Sequence, residues 1–532
     1  LATSSEDGPA APVGGGIRGL IRGALPSDRF GDHLTILSGT GQNIAGLGVF
    51  VVASLATNIL ISRGFGKTLG PAALGVVTLA TQLAFIGGAA TRFGMDMAAV
   101  RQVAIDVGQD RPGRIRGVMT RAVAISAVVS AVVALFVFLA AGPLARQFAS
   151  NSHLAPGTAA AAFRGAALAL PFVALSQVYL GGTRGLKIMR YTLYIYWAGQ
   201  PVLWIVLMLI GWVVSKSVGM SLLAYAGSWI LATVAAAFVW ERRTRRYPRL
   251  PPSPGETAAL VRYGAPRAPA ALLSQLLFWT DYFVVSNFIS ATELGVYAAA
   301  VRVAQALVLF LIAVNYMFSP FVADLHARGE RDRLDSLYKA LTRWTLAGTL
   351  PLLLLLLIVP GPILLIFGGK FETGTTALRL LLIGQSVNVA VGSVGFILIM
   401  VGRTGWDLVV YAGSFLLDLV VAFTLSPHLG AKGAAIAQAV TLVVSNAARL
   451  YLVWRFVHIQ PFNRHYFRLG IPAAACAVVM AGVHHILRHA GWPVDLAGSG
   501  MTGGLAYVAV FLVAGLTPTE RRALKSLTGR AA

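Results

Sequence analysis

The chain is predicted to be an all-α polytopic membrane protein of about 14 transmembrane helices. They form two six-helix lobes related by a pseudo-two-fold axis along the membrane normal, plus two C-terminal helices. Three observations predict this. Of 532 residues, 57% are hydrophobic and only 12% are charged, about half the ~25% charged content of a soluble globular chain. Apolar stretches of spanning length recur from end to end. The basic residues between them alternate between crowded and nearly empty loops.

A spanning helix needs roughly 20 mostly apolar residues. In order, the stretches that qualify are 41–62, 72–91, 118–141, 157–181, 191–214, 217–240, 265–289, 294–323, 344–368, 374–401, 407–427, 431–456, 468–488 and 497–516. The eighth is long enough to be tilted or partly outside the lipid. Between them the basic residues divide 32 to 7 over alternate loops and tails. The crowded set includes Arg111, Arg114 and Arg116, the run Arg242 to Arg249, and Arg328 to Arg343. The sparse set is Arg63, Lys67, Arg146, Lys216, Lys370, Lys432 and Arg488. The positive-inside rule then puts both termini in the cytoplasm and requires an even span count. It also accounts for the net charge of +23 as topology signals beside anionic lipid, so nucleic-acid binding by the 241–249 run is not expected.

The predicted organisation is a disordered cytoplasmic tail (1–40), a six-helix lobe (41–240), a basic cytoplasmic linker (241–264), a second lobe (265–458), two added spans (459–516) and a cytoplasmic tail (517–532). Residues 1–35 are rich in Gly, Pro, Ala and Ser and have no apolar core of signal-peptide type. Leu1 in place of Met points to a processed N-terminus. The two lobes are an internal repeat with an offset of about 215–220 residues. Leu69 to Val76 follows span 1 as Ile289 to Val296 follows span 7. Gly142-Pro143 corresponds to Gly361-Pro362, Arg164 to Arg379, and Gly219 to Gly433. A repeat of even span number keeps its orientation, which sets the axis along the membrane normal and leaves a cavity between lobes.

Several segments resemble polysaccharide-biosynthesis and lipid-linked oligosaccharide flippases of the multidrug/oligosaccharidyl-lipid/polysaccharide exporter superfamily. They are Asp281-Tyr282-Phe283 through Glu293 to Arg302, Phe371-Glu372 to Leu378 to Leu382, Met400 to Arg403, and Gly433 to Ala437. The similarity runs over roughly 40–458, and the extra C-terminal pair fits the family's larger members. The resemblance implies transfer of a polyprenyl-(pyro)phosphate-linked oligosaccharide from the cytoplasmic to the outer leaflet of the inner membrane, by alternating access. Membrane lipids are implied partners, and glycan polymerase or assembly proteins are potential ones.

Six charges fall inside spans: Arg121, Arg164, Asp281, Arg302, Arg379 and Asp418. A charge at the bilayer centre costs about 2.5–3.5 kcal/mol on insertion scales, so each needs a reason. Asp281 and Arg302 both lie about 12 Å from the sparse side on adjacent helices, which predicts an ion pair, read either as a structural bridge or as part of a site. Arg164 and Arg379 enter at about 8–11 Å. They either snorkel or join Arg302 in a cationic ring that clamps phosphate with bidentate guanidinium bonds. Asp418 is an isolated acid, read as an ion-coupling group or as a partner for a neighbouring amide. Arg121 is expected to snorkel. Tyr191, Tyr194, Tyr196 and Trp197 read as an interfacial belt first and a sugar-stacking platform second. Pro171, Pro201, Pro269 and Pro320 are potential bends.

The sequence contains no GxxxxGK[ST], so no cofactor and no direct ATP use are expected; coupling to H+, Na+ or membrane potential would drive transport. No metal motif is present, and the single Cys476 excludes a disulfide framework. A membrane glycosyltransferase or ligase would need catalytic groups on a sizeable outward loop, and these loops are short. A cation-coupled multidrug exporter would need coupling carboxylates in the first lobe, where no mid-span Asp or Glu is expected.

Overall fold

The computed structural model describes residues 46–517 except 47, 51, 55, 62, 150–155, 249–254, 286, 290 and 368; the predicted terminal tails lie almost wholly outside this range. The described residues are helical throughout, with no strands. In chain order the first lobe comprises α1 (Gly48–Ile61), α2 (Gly66–Thr91), α3 (Met95–Gly108), α4 (Pro112–Leu139), a short α5 (Ala141–Ala149), α6 (Pro156–Gly185), a π-helical turn (Thr192–Gly199) running into α7 (Gln200–Val214), and α8 (Val218–Thr244). After α9 (Glu256–Gly264) the second lobe follows: α10 (Arg267–Val285), α11 (Ala291–Gln305), α12 (Val308–Ala327), α13 (Arg331–Ile358), a short α14 (Pro360–Leu365), α15 (Thr375–Val391), α16 (Val394–Met400), α17 (Thr404–Leu429) and α18 (Ala431–Val457). The added pair is α19 (Arg464–Phe467) with α20 (Gly470–Leu487), then α21 (Trp492–Val510).

Among the described residues ten helices are long and apolar enough to cross a membrane, or twelve if each of two bent pairs is one span. The predicted fourteen are reached only by adding α1 and α10, so that count is not confirmed. The predicted boundary at residue 91 coincides with the end of α2. Past a bend of 46° the chain continues as α3, which packs on α6, α4 and α12 as a broken span or a re-entrant turn. The predicted eighth span is likewise two helices, α11 and α12, parted at Ala306-Leu307. Both breaks fall in the second span of their lobe, the second about two turns earlier in the repeat than the first. Gly142-Pro143 and Gly361-Pro362 match, since each pair starts a short helix, α5 and α14.

In the first lobe α6 is the hub, packed by α2, α3, α4 and α8. Its sequence, Ala160 to Gly185, is rich in Ala and Gly, and small residues let backbones approach closely where lipid supplies no hydrophobic drive between helices. In the second lobe α18 packs against α10, α15, α16 and α17. The lobes share one apolar core, in which Val100, Ala104 and Met189 pack with Val314, Met317, Phe318 and Phe321. This core lies at the end of the bundle where the crowded basic loops gather, hereafter the basic end. The added pair docks on α13 and α14. There Tyr507 donates to the Ala347 carbonyl at 2.8 Å, and His484 meets Asp495 at 2.9 Å.

Candidate functional site

The seam between lobes is built around the break in α2–α3. Phe93 and Gly94 have φ of 52° and 69°, and a Cβ on Gly94 would lie 2.5 Å from Arg267 Cβ. Glycine thus permits both the left-handed turn and the close approach of the α9–α10 junction. The break sets Arg92 against Asp96 at 3.0 Å. Facing them, at the end of α6, Arg184 is only 1% exposed. Its guanidinium carbon stands 4.8 Å from the centroid of the Tyr316 ring of α12. Its Nε and Nη2 have no hydrogen-bond partner among the described residues.

Other buried polar atoms without partners border this seam: Gln177 Nε2, two turns up the same face of α6, Trp197 Nε1 and Asn315 Oδ1. Leaving a buried polar group unbonded costs about 1–3 kcal/mol, so these atoms suit a water or ligand able to bond them. The π-helical turn changes the local register. It brings Trp197 to 6.2 Å from Tyr316 and Tyr196 to 5.9 Å from Trp229. These two rings therefore belong to the interior and not to the lipid belt predicted for them; Tyr194, 60% exposed, remains at the surface.

A second constellation lies inside the second lobe. A cavity of about 360 Å³ is bordered by Ser274, Gln305, Gln385, Asn388, Gln438 and Asp418, with apolar walls between. Asp418 is 1% exposed and Asp281 is fully buried. Thr441 Oγ1 donates to Asp418 at 3.2 Å. Asp281 faces Asp418 and the Tyr297 hydroxyl. Two carboxylates buried near one another inside a span repel, and a proton or a cation between them relieves that cost.

Asp281 is therefore not the partner of Arg302, as the sequence suggests. Arg302 is on the exposed side of α11, whereas the buried side, which carries Tyr297, meets Asp281. Equal depth on neighbouring helices does not fix which faces meet. Arg164 and Arg379 are also exposed. Arg164 lies 5.7 Å over the Phe138 ring of α4, and Arg379 Nε donates to the Leu357 carbonyl of α13 at 3.3 Å. Gln385 and Asn388, which border the cavity, stand about 240° and 180° round α15 from Arg379. The structure does not bring the three predicted arginines together. Arg121 does not snorkel; it bonds Glu256, which also holds Arg114 at 3.3 Å.

The basic end is closed by contacts across the seam. Lys187 Nζ sits 2.7 Å from Asp324 and 4.4 Å above the Phe321 ring; Arg328 Nε also reaches Asp324, at 2.6 Å. Gln109 donates to the Ala327 carbonyl at 3.3 Å, and Arg101 Nε to the Met400 carbonyl at 2.8 Å. Asp407, 1% exposed, binds Arg267. Arg184, Asp96, Asp324 and Asp407 escaped the sequence reading because they sit at span ends, where charges pass as loop signals. The cue that could have found the first was its place on the apolar 3.6-residue face that Gln177 shares.

The polysaccharide biosynthesis protein family model matches residues 66–374, more than half of the chain. The chain belongs to that family. It is 24% identical over 311 residues to the "Probable low-salt glycan biosynthesis flippase Agl15" of Haloferax volcanii, covering 58% of this chain. It spans 61% of that relative's length. Similar solved structures share the fold. An outward-facing multidrug resistance transporter of the MATE family aligns with TM-score 0.67 at 15% identity, over 80% of this chain and 95% of its own. A MOP superfamily transporter from Pyrococcus furiosus, whose structure suggested a different function from the reversed polarity of its binding pocket, aligns with TM-score 0.65 at 16% identity, over 80% and 95%. A single-residue mutant of the Vibrio cholerae MATE transporter VcmN aligns with TM-score 0.66 at 15% identity, over 82% and 99%. The chain is a multi-span membrane protein of the polysaccharide biosynthesis family.

Proposed function

We propose that the chain carries a polyprenyl-(pyro)phosphate-linked oligosaccharide from the cytoplasmic to the outer leaflet of the cytoplasmic membrane by alternating access of its two lobes. In this reading the basic end and both termini face the cytoplasm. Arg184 is the observation that carries it. It is a guanidinium buried at the lobe seam with two N–H-bearing nitrogens unbonded among the described residues, and a phosphate oxygen is the partner that suits a guanidinium fork. The Tyr196, Trp197 and Tyr316 rings beside it offer faces on which a sugar can stack. The Asp281–Asp418 pair, with Thr441, takes H+ or Na+ and couples transport to its gradient.

That carboxylate pair also suits a second reading, a cation-coupled multidrug exporter, although it lies in the second lobe and not in the first, where such an exporter is expected to carry its acids; that reading needs no phosphate-binding cation. Reconstitution separates the two. Proteoliposomes of the wild type should accelerate leaflet exchange of a fluorescent polyprenyl-diphosphate glycan, and Arg184→Ala should not. Export of a cationic dye down an ion gradient, with the glycolipid left unmoved, would overturn the flippase reading.

A further inference from the structure

At the basic end a second cationic chamber lies about 15 Å beyond Tyr316, the rise from Tyr316 to His326 along α12. It is a cavity of about 380 Å³ lined by Arg101 of α3, Arg262 and Tyr263 of α9, His326 of α12, and Arg403 in the turn between α16 and α17. These residues come from both lobes and from the linker between them. The chamber in this form therefore exists only while the basic end is closed.

Its arginines differ from others at this end. Arg267, Arg114, Arg121 and Arg328 are bonded to Asp407, Glu256 and Asp324, so those nearby carboxylates are already engaged. Arg101 is held by the Met400 carbonyl at 2.8 Å and lies 5.6 Å from the centroid of the Tyr263 ring. Arg403 lies 4.5 Å from that of Phe456. Carbonyls and ring faces orient a guanidinium without neutralising it. Gly402, at φ 95°, keeps the turn bare, since a Cβ there would lie 3.2 Å from Arg101 Nη2. Tyr263 is itself fixed, its hydroxyl donating to the Ile399 carbonyl at 3.1 Å. Three like charges gathered in one chamber repel, and an anion with several acceptor oxygens turns that repulsion into attraction.

We propose that this chamber is a binding site for a phosphate group, separate from the seam around Arg184, and that its occupant holds the two lobes closed at the basic end. The chemistry is common to a soluble diphosphate and to the headgroup of an anionic phospholipid, and it does not depend on what the protein transports.

The full-length protein tests it. In detergent, inorganic diphosphate should raise the melting temperature beyond sodium chloride of equal ionic strength. Its half-saturating concentration should rise at least fivefold in Arg403→Gln and in Arg262→Gln, both exposed positions tolerant of change, and stay unchanged in Arg379→Gln. In nanodiscs, a wild-type gain from phosphatidylglycerol over phosphatidylcholine that the two chamber variants lose assigns the occupant to lipid. A gain from diphosphate alone assigns it to a soluble ligand. A label on Gln109→Cys should become at least threefold less accessible when the site fills. Equal responses in wild type and both chamber variants, or no response to either probe, overturn the proposal.

Discussion

The two lobes repeat one helical plan, yet their buried polar groups differ. The first lobe presents Arg92 and Arg184 with Tyr196 and Trp197 to the seam; of the two acids buried on α3, Asp96 is bound by Arg92 at 3.0 Å and Asp106 by Gln102 at 3.1 Å. The second encloses Asp281 and Asp418 among amides and Thr441. A shared backbone plan thus leaves each lobe with a broken second span and room for polar groups. The side chains housed there differ, guanidinium and aromatic at the seam and carboxylate and amide in the second lobe.

The sharpest way to break the comparison is at Arg184. Replacement by Ala is expected to slow glycolipid exchange in proteoliposomes by roughly 10- to 150-fold, the equivalent of a charge-assisted hydrogen bond. Lys should restore only part, since it lacks the planar fork. Next is Asp418→Asn. It should leave downhill exchange measurable but abolish its acceleration by an imposed H+ or Na+ gradient, a loss on the order of tenfold. An Asp418→Asn protein that still responded to both gradients would remove the second lobe from coupling.

A smaller effect is expected at the closed seam. Lys187→Glu should loosen the basic end and raise labelling of Gln109→Cys several-fold, on the order of 1 kcal/mol. The added change Asp324→Lys should reverse part of it, tempered by repulsion from Arg328. Native Cys476 is buried and should give little background.

The smallest effect concerns Glu256, outside the spans. Burial alone would raise its pKa, but hydrogen bonds and charge from Arg121 and Arg114 outweigh this and hold it below the ordinary 4.5. A depressed carboxyl contributes stability above its unfolded pKa and loses it as pH falls through the folded one. Glu256→Gln should therefore melt lower than wild type at neutral pH, by on the order of 1 kcal/mol after discounting for the partly exposed Arg114. The gap should close on acidification below 4.5.

Membrane class, lobe repeat and family resemblance were all readable from the chain, because lipid imposes long apolar helices and punishes charge by position alone. Asp418 stood out for the same reason, a lone acid in an apolar run. The tertiary structure alone decided which charges meet. Asp281 turns to Asp418 and not to Arg302, and Arg121 to Glu256 and not to solvent. Residues 95–108 form a helix and not a loop, which buries Asp96 and Asp106 against the first lobe. The physical reason is that depth follows from counting residues, whereas facing depends on helix rotation, on the break at Gly94 and on the π-turn at Thr192–Gly199. Arg184 shows the limit best. Its position at the end of α6 reads as a topology signal, and only the closure of α12 over it makes it the most deeply buried cation at the seam.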